Sequence, residues 1–296
     1  MKMKSIFFAS LVFTLLLTSC SKSDDTGTGG TGSVPEKSMT NVSYGTDPLQ
    51  KMDIYLPANR TTATTKVLIY IHGGGWVTGD KADLTAADID TLKKRVPDYA
   101  IFNLNYRLAL PGFPSSTNTF PTQELDVKAA IEFIYANRSS YLVGDKFVLM
   151  GGSAGGHLAL LHAYKYAAPV KIKAVIDFFG PTDMVDMYNN PGIYSAASIA
   201  LLLNGTPTTN NALYLQSSPL TFATTAAACP TIILQGDLDL LVNATRQSRA
   251  LQTKLTAAGV VNQYVAYPTL GHGPWDATTN TDAFNKIQVF LAANVQ

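Results

Sequence analysis

Ser153 sits in Gly151-Gly152-Ser153-Ala154-Gly155, just after the apolar run Phe147-Val148-Leu149-Met150 and just before a helix-like segment. A serine hydroxyl attacks a carbonyl well only when an imidazole takes its proton and a carboxylate fixes that imidazole's tautomer. The chain holds four histidines: His72, His157, His162 and His272. His157 and His162 fall on the helix behind Ser153. His157, four residues on, points along that helix and suits packing or hydrogen bonding. His72 belongs to a separate Gly-rich loop. His272, in Leu270-Gly271-His272-Gly273, follows the last apolar strand and precedes the last helix, so it is the candidate base. An orienting acid is expected between serine and histidine, just after a strand. Thr231-Ile232-Ile233-Leu234-Gln235-Gly236-Asp237-Leu238-Asp239 offers Asp237 and Asp239 there.

Acyl transfer passes through a tetrahedral oxyanion, which needs backbone N–H groups converging on one oxygen. The loop His72-Gly73-Gly74-Gly75-Trp76 follows another apolar strand and lacks the Cβ atoms that would block that approach. Gly73 and Gly74 are the candidate donors, with Ala154, the residue after the serine, as a further one. A phosphate-binding loop is the competing reading of such glycines, but neither GK[ST] nor GxGxxG follows.

These residues must be positioned by regular elements. Asn41 to Tyr44 and Lys51 to Leu56 alternate polar and apolar, as half-buried antiparallel strands do. Later runs at Val67 to Ile71, Ala100 to Leu104, Phe147 to Met150, Ala174 to Phe178, Thr231 to Leu234 and Gln263 to Tyr267 are mostly apolar, as in parallel strands covered on both faces. Helical patterns fall between most of them, at Leu84 to Arg95, Gln123 to Asn137, Gly155 to Tyr166 and Gln247 to Ala258, and after the last at Asp282 to Ala293. The alternation predicts an α/β fold: a mostly parallel central sheet with helices on both faces. Residues 184–225, rich in Pro, Gly, Asn, Ser and Thr, break the rhythm and read as a small cap or lid-like insertion.

Composition narrows the partners. The 22 basic and 21 acidic residues nearly cancel, and no basic stripe appears, so nucleic acid is not expected. Cys20 and Cys229 form no CxxC or Cys/His pattern, so no metal site is expected. Lys2 and Lys4 precede an apolar run, Phe7 to Leu17, that is short for a membrane span. It ends in Leu17-Thr18-Ser19-Cys20, which resembles the lipobox of bacterial lipoproteins. That resemblance implies a signal peptide at 1–19, an acylated Cys20 as the only membrane attachment, and no disulfide for Cys229. Residues 20–37, with a Ser, Thr, Gly and Asp-rich stretch, read as a flexible tether, and 38–296 as the folded domain. Ser23-Asp24-Asp25 resembles surface-export signals of some bacterial lipoproteins, so the expected location is the cell envelope, at the outer membrane, either periplasmic or surface-exposed.

Taken together, His-Gly-Gly-Gly-Trp, Asn105-Tyr106-Arg107-Leu108, Gly-Gly-Ser-Ala-Gly-Gly-His-Leu, Gly180-Pro181-Thr182-Asp183, Ser218-Pro219-Leu220 and Gly-Asp-Leu-Asp resemble the esterase/lipase branch of the α/β-hydrolases. The chain is most similar to the bifunctional feruloyl/acetyl-xylan esterase-like family, from about Tyr44 onward. The family pattern Gly-x-x-Asp-x-x-Val fits Gly236, Asp239 and Val242, which makes Asp239 the acid and Asp237 a turn residue. The resemblance implies a cofactor-free serine esterase removing acetyl, feruloyl or other short acyl groups from plant polysaccharide or small esters, with Ser153, Asp239 and His272 as the triad. Relatives of the hormone-sensitive-lipase type usually carry Asp before the serine, whereas this chain has Gly152. A peptidase or amidase of the same fold, a lipase-like esterase of the hormone-sensitive-lipase type and a non-catalytic binding protein on this scaffold are the competing readings.

Overall fold

Among the described residues, eight strands form one sheet: β1 (Lys37–Ser43), β2 (Lys51–Leu56), β3 (Lys66–Ile71), β4 (Tyr99–Leu104), β5 (Phe147–Gly152), β6 (Ala174–Phe178), β7 (Thr231–Gly236) and β8 (Asn262–Tyr267). The computed structural model describes residues 33–110, 112 and 115–296. The signal-peptide reading, Cys20 and most of the tether lie outside the described residues. The spatial order is β1-β2-β4-β3-β5-β6-β7-β8. The pairs β1/β2 and β2/β4 are antiparallel, and every pair from β4 to β8 is parallel.

Helices α1 (Ala86–Arg95), α2 (Thr122–Ala136), α3 (Arg138–Tyr141) and α4 (Ala154–Lys165) lie within the connections from β3 to β6. Four short helices fill the insertion: α5 (Met184–Asn189), α6 (Ala196–Leu202), α7 (Asn211–Gln216) and α8 (Pro219–Phe222). Helices α9 (Ala250–Ala257) and α10 (Ala277–Asn294) complete the chain's regular structure.

Strand alternation sorts the core into two layers. Val67, Ile69 and Ile71 of β3, with Phe147 and Leu149 of β5, pack on one face with α2, α4 and α9. Leu68, Val148 and Met150 point to the other, against α1 and α10. Burial on both faces explains why these strands read as continuous apolar runs. The parallel pairing of β3, β5, β6, β7 and β8 brings their carboxyl ends to one edge of the sheet, where connecting loops can converge.

Helix starts differ slightly from the sequence reading, for local reasons. Thr85 caps α1: its hydroxyl accepts from the Asp88 N–H at 3.3 Å and the Asp88 carboxylate accepts from the Thr85 N–H at 3.0 Å. Asp276 caps α10 through the Thr279 N–H at 2.8 Å, so that helix begins five residues earlier than its apolar pattern, at Ala277 rather than Asp282. The expected helix from Gln247 instead begins as a wide π-type turn, Thr245–Arg249, before α9. The Gln247 side chain there accepts from the Thr182 and Asp183 N–H groups, both at 2.8 Å, tying this turn to the start of the insertion.

Candidate active site

The turn after β5 is forced by backbone crowding. A Cβ at Gly155 would sit 2.0 Å from the Ile71 carbonyl oxygen, and one at Gly151 2.4 Å from the Gly155 carbonyl carbon. Between them Ser153 adopts φ 54° and ψ −124°, a conformation that costs an L-residue on the order of 1–3 kcal/mol. Two hydrogen bonds hold it: its N–H donates to the Phe178 carbonyl at 2.8 Å, and its carbonyl accepts from the His157 N–H at 3.0 Å. The side chain is thereby turned into a cavity of about 590 Å³, which it lines together with Gly73, Gly74, His272, Phe179, Tyr194 and Leu241.

The oxyanion candidates follow from peptide geometry. The Gly73 carbonyl accepts from His72 Nδ1–H at 2.7 Å and from the Tyr106 hydroxyl at 3.2 Å. His72 stacks on Tyr106 with ring centroids 4.2 Å apart, and burial lowers its pKa. In a trans peptide the next N–H, that of Gly74, points opposite to the carbonyl, away from this pair. Gly74 has φ +101°, and a Cβ there would meet the Thr78 carbonyl oxygen at 2.2 Å. The Ala154 N–H opens α4 and has no carbonyl one turn earlier to bond. Gly73 packs directly on the elbow, with Gly152 O 3.0 Å from its would-be Cβ.

The candidate acid and base are brought together. His272 Nδ1 lies 2.7 Å from Asp239 Oδ2. The second oxygen, Oδ1, accepts from the N–H groups of Leu241 at 2.8 Å and Val242 at 2.9 Å, and Gln235 Nε2 donates to Oδ2 at 3.0 Å. An ionised carboxylate only accepts, so Nδ1 carries the proton and the Nε2 lone pair of His272 is left for chemistry. Phe179 packs on the imidazole, ring centroids 4.5 Å apart. Asp237 is directed elsewhere, pairing with Arg249 at 3.1 Å. The Ser153–His272 hydrogen bond is not made in this structure; such bonds commonly tighten once substrate is seated.

His157 is the packing residue its position predicts. Trp76 Nε1–H donates to His157 Nδ1 at 3.1 Å, so His157 Nε2–H must donate to the Ser217 carbonyl, 2.7 Å away. Complete burial pushes its pKa down to about 4, keeping it neutral and able to bridge. His162, also buried on α4, is pushed down to about 3 by desolvation. Among the described residues no group of three His, Cys, Asp or Glu side chains could hold a metal ion.

Several site residues carried no motif. Tyr194 lies above the cavity, its hydroxyl 3.3 Å from where a Gly75 Cβ would be. Phe179 has φ 44°, another strained residue at the cavity wall. A second pocket of about 170 Å³ adjoins the first, walled by Met150, Phe178, Trp275 and Phe284.

A mostly parallel eight-stranded sheet, with a strained serine on a strand–helix turn and a paired aspartate and histidine on later loops, defines an α/β-hydrolase fold. The comparisons narrow the class. The BD-FAE family profile matches residues 52–255, and the chain belongs to that family. It is 30% identical over 243 residues to the probable carboxylic ester hydrolase LipM of Mycobacterium tuberculosis, covering 77% of this chain and 54% of LipM. It is 26% identical to esterase LipC of the same organism, covering 78% of this chain and 59% of LipC. The chain thus spans little more than half the length of these relatives. Among solved structures, a truncated carbohydrate esterase from gut microbiota superposes with TM-score 0.73 at 26% identity, over 87% of this chain and 95% of that one.

Proposed function

We propose that this protein is a serine carboxylic-ester hydrolase that removes acetyl, feruloyl or other short acyl groups from small esters or acylated saccharides. The observation that carries the reading is the 2.7 Å Asp239–His272 contact on the wall of the cavity that also holds Ser153. Ser153 attacks the ester carbonyl while His272 Nε2 takes its proton. The imidazolium, stabilised by Asp239, returns that proton to the departing alcohol. Ala154 and the Gly73-Gly74 peptides hold the oxyanion. Water, deprotonated by His272, then releases the acid and restores Ser153. No cofactor enters these steps. Membership in the BD-FAE family and the printed names of LipM and the gut carbohydrate esterase support the substrate class.

The test is Ser153→Ala on 4-nitrophenyl acetate, expected to lose at least about 10⁴-fold in kcat. Acetylated xylan and methyl ferulate then report the natural linkage, and a peptide 4-nitroanilide reports the amidase alternative. A Ser153→Ala protein with wild-type turnover refutes the assignment. The proposal extends to the leader: the lipobox-like Leu17-Thr18-Ser19-Cys20 supports acylation at Cys20 and a place in the bacterial envelope, at the outer membrane. Cys20→Ala should release activity from the membrane fraction; unchanged partitioning refutes the anchor.

A further inference from the structure

Gly152 is the one residue of Gly151-Gly152-Ser153-Ala154-Gly155 that is a glycine without steric need. Side chains at Gly151 and Gly155 collide with backbone. A Cβ at Gly152 would meet only the Phe179 ring at 3.5 Å and Phe178 Cβ at 3.8 Å, which is ordinary contact, and its φ is not in the left-handed region. The fold therefore accepts a side chain here, and the absence of one has another consequence. Gly152 lines both the catalytic cavity and the smaller pocket beside it, as do Tyr70, Asp83, Phe179 and Pro274. It lies where the two join.

We propose that Gly152 is a specificity-determining residue: its missing side chain opens the catalytic cavity to an inner lobe that receives a planar, unsaturated acyl group. The proposal rests on the esterase reading above.

The lobe's walls select the ligand chemistry. Phe178 stands 6.0 Å from Trp275 and 6.5 Å from Phe284, and Phe179 lies 5.2 Å from Trp275, all between ring centroids. Such faces suit a flat ring or conjugated chain. The polar lining consists of Asp83, Asp88, Asn280 and the Tyr70 hydroxyl. Burial, reinforced by nearby Asp88 and Asp83, holds the Tyr70 phenol in its neutral form. Two carboxylates disfavour an anionic ligand and accept from a phenolic or alcoholic hydroxyl.

Size decides which part of the ester enters. The lobe is about 170 Å³ against about 590 Å³ for the catalytic cavity, so a saccharide alcohol is assigned to the larger space. The acyl group, bonded to Ser153 in the intermediate, is the part next to the end of β5 where the lobe begins.

Gly152→Ala and Gly152→Val grade the obstruction. Relative to ethyl acetate, kcat/KM for methyl ferulate should fall about 3-fold in the first and at least 30-fold in the second. Titration with a small fluorophosphonate normalises each variant to reactive Ser153. A ratio that stays constant in both variants overturns the gate. So does a wild type that hydrolyses acetyl esters but no hydroxycinnamoyl ester, a result that leaves the esterase reading standing. A wild type inert toward every ester and toward the fluorophosphonate refutes the esterase reading itself. If Gly152→Val is insoluble, Phe284→Trp, which narrows the far end of the lobe, should lower the same ratio; an unchanged ratio again overturns the proposal.

Discussion

Replacing Asp239 by Asn is the sharpest probe of the base. The carboxylate has four donors around it: the Leu241 and Val242 N–H groups on Oδ1, and Gln235 Nε2 and His272 Nδ1 on Oδ2. An amide has one acceptor oxygen, so it must choose. If the oxygen faces His272, the amide NH₂ confronts two backbone N–H groups, and two buried donors lose their acceptor at about 1–3 kcal/mol each. If the oxygen faces the backbone, Gln235 still has the Gly236 carbonyl at 2.9 Å and the Val242 carbonyl at 3.4 Å. The second orientation wins. It then presents N–H to His272 Nδ1, which must become an acceptor and moves the proton to Nε2, the wrong nitrogen for a base. That tautomer trap is worth about 10⁴ in kcat in serine hydrolases, or about 5.4 kcal/mol of barrier. The assay is kcat and kcat/KM for an acetyl ester from pH 6 to 10, with thermal unfolding as a control. Activity within tenfold of wild type in a folded Asp239→Asn protein would refute the reasoning and turn attention to another acid.

Two buried groups give opposite pH dependences. Desolvation raises the Asp177 pKa to about 7, so between pH 4 and 7 the folded state holds a proton that the unfolded chain has released, and stability falls as pH rises. Asp177→Asn should remove that slope, about 1.4 kcal/mol per pH unit, and should stabilise the protein at pH 8 by roughly 2–4 kcal/mol in denaturant titrations. Loss of stability at pH 8 would contradict this. For His162, lowered to about 3, the unfolded chain gains a proton first as pH falls below about 6.5, so acid destabilises. His162→Phe should lessen the slope of the stability curve between about pH 6.5 and 3, while His157 and His72, also lowered by burial, keep contributing; an unaltered acid limb would show that the histidine is not buried in solution.

The candidate residues were legible because the proposed reaction restricts residue types and order. A serine between glycines, a lone loop histidine and an intervening acid leave few assignments. Asp237 and Asp239 were equivalent as residues, and only the family pattern separated them; in the structure Asp237 pairs with Arg249 while Asp239 meets His272. The strands were legible from their apolar runs, and β2 and β6 match the sequence reading at both ends. The helix starts were less so, because caps such as Asp276 act ahead of the apolar pattern. The cavity walls were not legible at all. Phe179, Tyr194 and Trp275 come from three separate loops, and nothing in local spacing announces that they converge.

The hydrogen-bonded line from Trp76 through His157 to Ser217 has a consequence for how the insertion can vary. It runs from the glycine loop across the helix behind the serine and ends on a carbonyl of residues 184–225. The segment that receives it is anchored by buried residues: Tyr214, Ser217, Ser218 and Pro219 are all buried. Ile193 and Leu201, earlier in the insertion, are exposed. In engineering terms the whole insertion is a keystone with a few replaceable facets: Met184, Met187, Ile199, Leu202 and Leu203 are also packed into the core, so a graft or chimera must carry over these positions with Tyr214 and Ser217 and can vary exposed ones such as Ile193, Leu201 and Leu215.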